Sequence, residues 1–276
     1  MIQREITRTW TVQHHQHSPI HAAGMVLNPT NMQEFDPFLF LAEDFFKKGT
    51  FDFHPHRGIE TVTYVIEGKL EHNDNKAGKG ELGPGDVQWM TAGRGVIHIE
   101  DPAEGETVHS LQLWVNLPRE HKMTEPRYQN LRGQDMPVRE EEGALIRIFS
   151  GSSGGVQSAT QNYVPVTFVE INLKAGASTV QDLPGNYTGF MYVLEGNGFF
   201  GKNKVEAKKG QALQLGKGVE GEESEVTIQA KERLRVLLYA GKPLNEPIVA
   251  RGPFVMNTEE EIRQAYRDYM DGKFEE

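Results

Sequence analysis

The chain has 276 residues, 37% hydrophobic and 25% charged, with 39 acidic against 29 basic side chains and no cysteine. That length can bury one large or two medium cores, and no apolar run approaches the roughly 20 residues of a spanning helix. The missing thiols exclude disulfides, thiolate-held zinc, iron–sulfur clusters and cysteine nucleophiles. A net charge of -10 repels a phosphate backbone, so no direct nucleic-acid contact is expected. The first residues, with Arg4 and Glu5, lack the apolar stretch of a secretory signal, and a cytoplasmic location follows as the expectation.

In chain order, Phe38-Leu39-Phe40-Leu41-Ala42 reads as a core strand, and the next strand signals lie at 60–66 and 110–115. Two more follow at 167–173 and 233–239, each β-branched or aromatic on at least one face. Turn signals such as Pro84-Gly85-Asp86 and Asn197-Gly198, among 29 Gly and 14 Pro, separate them. The economical fold class is all-β. Gly196-Asn197-Gly198-Phe199-Phe200-Gly201 matches a dinucleotide fingerprint, but no helix pattern follows it and a hairpin is the better reading.

One segment departs from this pattern. Thr258-Glu259-Glu260-Glu261 is a capping box, and Ile262, Ala265, Tyr266, Tyr269 and Met270 form one apolar stripe behind it, with Gly272 as the stop. A short C-terminal helix packed on the β core is expected.

Tyr64-Val65-Ile66-Glu67-Gly68 recurs as Tyr192-Val193-Leu194-Glu195-Gly196, and the Gly-led return strand after Gly85 has a counterpart after Gly210. Two β domains of one fold are indicated, residues 1–133 and 144–276, the second carrying the helix. They join within 133–143, while Gly151-Ser152-Ser153-Gly154-Gly155 serves equally as linker or surface loop.

All ten histidines precede residue 122, so imidazole chemistry is confined to the first domain. His54-Pro55-His56 and His98-Ile99-Glu100 share one spacing, and residues two apart on a strand point to one face. On neighbouring strands these pairs present three nitrogens and one carboxylate to a single ion. Such a donor set suits Fe(II), one per chain, with Mn, Ni, Co or Zn as substitutes. Four such ligands leave two octahedral positions open. The equivalent positions of the second repeat read approximately Asp182, Pro184, Glu223 and Glu225, and no iron is expected there. His14-His15-Gln16-His17 has no carboxylate spaced with it and reads as an exposed loop. His72, His109 and His121 read as surface or hydrogen-bonded structural residues, and Lys47, Lys48 and Arg57 as a basic rim.

The run from His54 through His56, Arg57, Gly58 and Glu60 to Tyr64, then Glu67-Gly68, then Gly85-Asp86-Val87-Gln88-Trp89-Met90-Thr91-Ala92-Gly93-Arg94-Gly95-Val96-Ile97-His98, resembles the pirin signature, as does Phe35-Asp36-Pro37-Phe38-Leu39 upstream. The match is dense over roughly the first 120 residues and weak beyond. The resemblance implies a bicupin, two face-to-face β-barrels with one iron in the N-terminal barrel held by His54, His56, His98 and Glu100. A general cupin would place its carboxylate ligand where Glu60 stands, and residue spacing alone does not choose between Glu60 and Glu100. Thr91 also replaces the proline usual in that motif. By resemblance the expected activity is that of a quercetin 2,3-dioxygenase, with Glu100 doubling as catalytic base and a flavonol-like aromatic substrate and dioxygen as reactants. Two fused domains can cover each other's faces, so a monomer is expected. The family also implies an alternative, a redox-dependent regulator that works by binding transcription factors or metabolic enzymes.

Overall fold

The computed structural model describes residues 1–75 and 79–275. The chain divides into two compact units, Met1–Val12 with Asp135–Pro243, and Gln13–Gln134 with Leu244–Glu276. The junction falls inside the expected 133–143 stretch, but both ends differ from the expected 1–133 and 144–276. The first twelve residues complete the later unit, and the terminal helix lies with the earlier one. Repeat matching detects similar strands and is blind to which sheet edge a terminal segment joins.

In the earlier unit, a seven-stranded sheet runs in the order Arg127–Leu131, Val87–Thr91, Ile59–Glu67, Thr107–Asn116, Phe38–Lys47, His21–Leu27, His14–Ser18. A four-stranded sheet, His54–His56, Val96–Pro102, Leu70–Asp74, Lys79–Leu82, completes it. The two sheets share a core in which Ile59, Met90 and Val96 cluster at one place and Phe46, Val65, Leu70, Leu82 and Val108 at another.

The later unit repeats the plan. Its seven-stranded sheet runs Val138–Glu141, Ala144–Ser150, Val166–Leu173, Leu234–Gly241, Thr188–Glu195, Gln211–Leu215, Ile6–Thr11. Opposite it, Glu223–Ala230 pairs with Ile2–Gln3, Asn197–Phe200 and Ser178–Pro184. Arg4 locks the terminal segment in place. Its buried guanidinium donates to Ser224 Oγ and to the carbonyls of Gly216, Pro184, Gly185 and Tyr187 at 2.6–3.1 Å.

The four expected strands at 60–66, 110–115, 167–173 and 233–239 fall on observed strands, with residue 233 alone lying outside and bounds differing by up to three residues. The repeated Tyr-to-Gly motif has a shared steric cause. Gly68 and Gly196 have φ of +81° and +77°, and a Cβ would sit 2.5 Å from the Thr107 carbonyl oxygen or 1.9 Å from that of Arg233. Only glycine fits there. The Gly196 fingerprint is a hairpin between Asn197–Phe200 and Val205–Lys208.

The helix spans Glu259–Met270, capped by the Thr258 side chain, which accepts from the Glu261 amide. Ile262 and Ala265 are buried as expected, but Tyr266 and Met270 are exposed and Asp268 takes the inward place. The stripe is rotated because Arg57 supplies a partner for that carboxylate, at 2.8 Å. No helix among the described residues is long and apolar enough to cross a membrane.

Candidate metal centre

His54–His56 runs antiparallel to Val96–Pro102, with His56 opposite Val96 and His54 opposite His98. Strand alternation then turns all three imidazoles to the barrel interior. The ring centroids of His54 and His56 are 4.9 Å apart, of His54 and His98 4.5 Å, and of His56 and His98 5.0 Å. One ring nitrogen from each lies within 4.8 Å of the others.

His56 and His98 are 2% and 0% exposed. Burial, and then His54, push the His56 imidazolium pKa down to about 3. Burial, and then His56, His54 and His72, hold His98 well below its ordinary value. Both rings are therefore neutral at working pH. The His56 ring faces the Pro253 backbone; otherwise, among the described residues, no nitrogen of His56 or His98 has a hydrogen-bond partner, whereas His54 Nδ1 meets the Asp52 carbonyl at 2.8 Å. Buried polar atoms are normally satisfied. One nitrogen from each of three imidazoles at one place, two of the rings buried and neutral, fits a divalent transition metal.

The two candidate carboxylates are separated by strand parity. Glu100 shares the interior face with His98, and its oxygens accept from Thr63 Oγ1 at 2.9 Å and Gln112 Nε2 at 2.6 Å. It stands outside the three-imidazole group. Glu60 is three residues from Thr63, hence on the opposite face of its strand, where it accepts from Thr91 Oγ1 at 2.7 Å. Burial pushes its pKa up to about 7, against the pull of Thr91, Trp89 and Arg127.

The surroundings of the three rings contain residues that sequence reasoning passed over. Gln112 and Trp114 alternate inward from Thr107–Asn116; Trp114 meets the His56 ring edge-on at 5.1 Å and Phe40 at 4.4 Å. His72, one of the residues read as surface or structural, is buried and bonded to Asp74 at 2.8 Å. Burial and the Asp74 carboxylate push the neighbouring Tyr128 phenol far up, so it stays protonated. The alternating Leu70, His72, Asp74 pattern was the available signal.

Other histidines go elsewhere. His14-His15-Gln16-His17 lies on a strand, not a loop, and partner carboxylates come from Phe38–Lys47. Glu43 bonds both His14 and His109 at 2.7 Å, and Asp44 bonds His21 at 2.8 Å. Residues far apart in sequence supply these pairs, so spacing could not reveal them. Arg57 is buried rather than at a rim. It donates to the Arg94 carbonyl at 2.6 Å and Asp268 at 2.8 Å, and covers the Phe274 ring at 4.5 Å. These contacts brace the residue next to His56 from the C-terminal segment.

In the later unit, Asp182 opposes Glu225 and Pro184 opposes Glu223, but the buried face of these strands carries Leu183, Ser224, Val226 and Ile228. The Asp182 carboxylate instead accepts from the Gly154 amide at 2.7 Å. The four approximate equivalents thus lie on paired strands but on the face away from the buried core.

Residues 13–115 match the family described as Pirin, and residues 168–275 the Pirin C-terminal cupin domain. A pirin-like protein of Solanum lycopersicum is 44% identical over 244 residues, covering 88% of this chain and 83% of the relative. A crystal structure of a Geobacillus kaustophilus protein superposes with a TM-score of 0.88 at 66% identity, covering 89% of this chain and 99% of that one. A quercetin 2,3-dioxygenase from Acinetobacter baumannii superposes with a TM-score of 0.85 at 31% identity over 98% of both chains.

Proposed function

The chain belongs to the pirin family, with two cupin domains and a single C-terminal helix, and on that premise we propose that it is a mononuclear iron protein with quercetin 2,3-dioxygenase-type activity. His54, His56 and His98 hold the ion in this reading, and Glu100 is the fourth ligand. The observation that carries it is the convergence of one ring nitrogen from each of His54, His56 and His98, the last two buried and held neutral. The likeness to a quercetin 2,3-dioxygenase over nearly the whole chain supports the choice of a flavonol substrate.

Bound Fe(II) supplies a Lewis acid for the substrate's acidic hydroxyl and electrons for dioxygen. The protein's own part is positioning, exclusion of water and proton acceptance. Phe40 and Trp114 line the His56 side with aromatic surface, which suits a flat apolar ring and keeps the local dielectric low. Glu100 is held by Thr63 and Gln112, so a carboxylate oxygen is fixed on the face that carries His98. A base held in that way accepts a hydroxyl proton without first reorganising.

Anaerobic iron loading followed by an oxygen-uptake assay with quercetin tests the proposal. Uptake well above that of His56→Ala is expected, and uptake equal to that control overturns the enzymatic reading. Metal analysis of Glu100→Ala tests the fourth ligand, with a lower iron content than wild type expected.

A further inference from the structure

Leu70–Asp74 runs antiparallel beside Val96–Pro102, in a register that sets Asp74 opposite His98 and His72 opposite Glu100. Side chains two apart share a face, so these four point into the same interior, and opposed residues have Cβ atoms about 5 Å apart. His72 and Asp74 are buried and joined Nε2 to Oδ2 at 2.8 Å. A carboxylate accepts, so His72 Nε2 carries the proton. Its Nδ1 makes no hydrogen bond among the described residues.

Metal-ligating histidines usually donate their second ring nitrogen to a carbonyl or carboxylate that fixes the ring. His54 has that arrangement through Asp52; His98 does not. The His98 ring is flanked by the rings of His54, His56 and His72, the last at 5.3 Å. Of these three, only His72 lies outside the ligand set, and only His72 is tied to a buried carboxylate. Rigid packing can orient a ligand as a hydrogen bond does, provided the neighbour is itself immobile.

We propose that the His72–Asp74 pair is a positioning device for the metal centre, Asp74 fixing the His72 ring so that His72 fixes His98. This rests on the three imidazoles being a metal site. The test is titration of the metal-stripped full chain with Co(II), followed through the visible bands of the bound ion. Failure of wild type to bind one Co(II) per chain removes the metal reading and this proposal with it. With wild type competent, Asp74→Leu is expected to bind about 10–100-fold more weakly, with displaced bands and an unchanged far-ultraviolet circular dichroism spectrum. Asp74→Asn keeps an acceptor oxygen and should return towards wild type in both readouts. Wild-type affinity and bands in Asp74→Leu overturn the proposal and leave the metal reading standing. If Asp74→Leu does not fold, His72→Phe decides, since it retains a ring and loses the bond. Weaker binding with shifted bands supports the proposal, and unchanged binding and bands overturn it.

Discussion

The barrel of the earlier unit carries His54, His56, His98, Glu100, His72 and Asp74 on the inward faces of its smaller sheet. On the corresponding strands, the later barrel carries Leu183, Val226 and Ile228, which join Ile146, Val169, Ile171 and Phe200 in one apolar cluster. A common strand plan thus tolerates either a polar pocket or a closed hydrophobic interior. The same contrast holds for buried carboxylates. Glu170 of the later unit is flanked by Arg147 and Arg235, each at 2.6 Å. Glu60 of the earlier unit instead accepts a hydrogen bond from the Thr91 hydroxyl, with Arg127 as a weaker electrostatic attraction. Packing dominates one barrel interior, while the other gathers imidazoles and a carboxylate whose burial an ion could repay.

The sharpest way to break this comparison is to empty the first barrel. In His98→Ala, bound metal should fall from one ion per chain to background by elemental analysis, and retention of a full equivalent would place the ion elsewhere. Phe200→Ala probes the opposite pole. It should cost about 3–5 kcal/mol in urea unfolding while metal content stays at the wild-type value. Glu60→Gln comes next. Between its ordinary 4.5 and about 7, the folded chain holds a proton that the unfolded chain has released, so wild-type stability falls as pH rises across that window. The variant should lose that slope and be more stable at pH 8, by on the order of 2 kcal/mol. Urea midpoints at pH 5 and pH 8 measure both effects.

Asp268→Asn gives the smallest effect, about 1.5 kcal/mol, the low end for a charge-assisted hydrogen bond. Burial opposes ionisation of Asp268, but hydrogen bonds from Lys273, Arg57 and Gln264 prevail and hold its pKa well below the ordinary 3.8. The wild-type contribution is therefore full above that value and lost as pH falls through the depressed one. The variant should show a shallower acid-side decline in unfolding midpoint, with the difference from wild type vanishing at low pH.

Strand positions, the repeat and the three convergent imidazoles were legible because alternation and i, i+2 spacing are local properties. What stayed hidden depended on register or on distant partners. Glu60 and Glu100 are equally plausible as letters, and only the face of the strand separates them. Asp182 and Glu225 fail as ligand equivalents through the same parity, one residue out of phase. Asp268 is no part of the expected apolar stripe, and its partner, Arg57, lies 211 positions away. Glu43 could not be linked to His14 and His109 without knowing which strands are neighbours.

The crossing of the chain ends bears on assembly during synthesis. Arg57, next to His56, leans on Asp268 and Phe274, which follow the later barrel in the chain, so the imidazole pocket is braced only after that whole barrel has been made. Cutting the gene between codons 134 and 135 would therefore yield two pieces that each lack a closing segment. Mixing both pieces, rather than purifying either, is the route to a loaded centre from split protein.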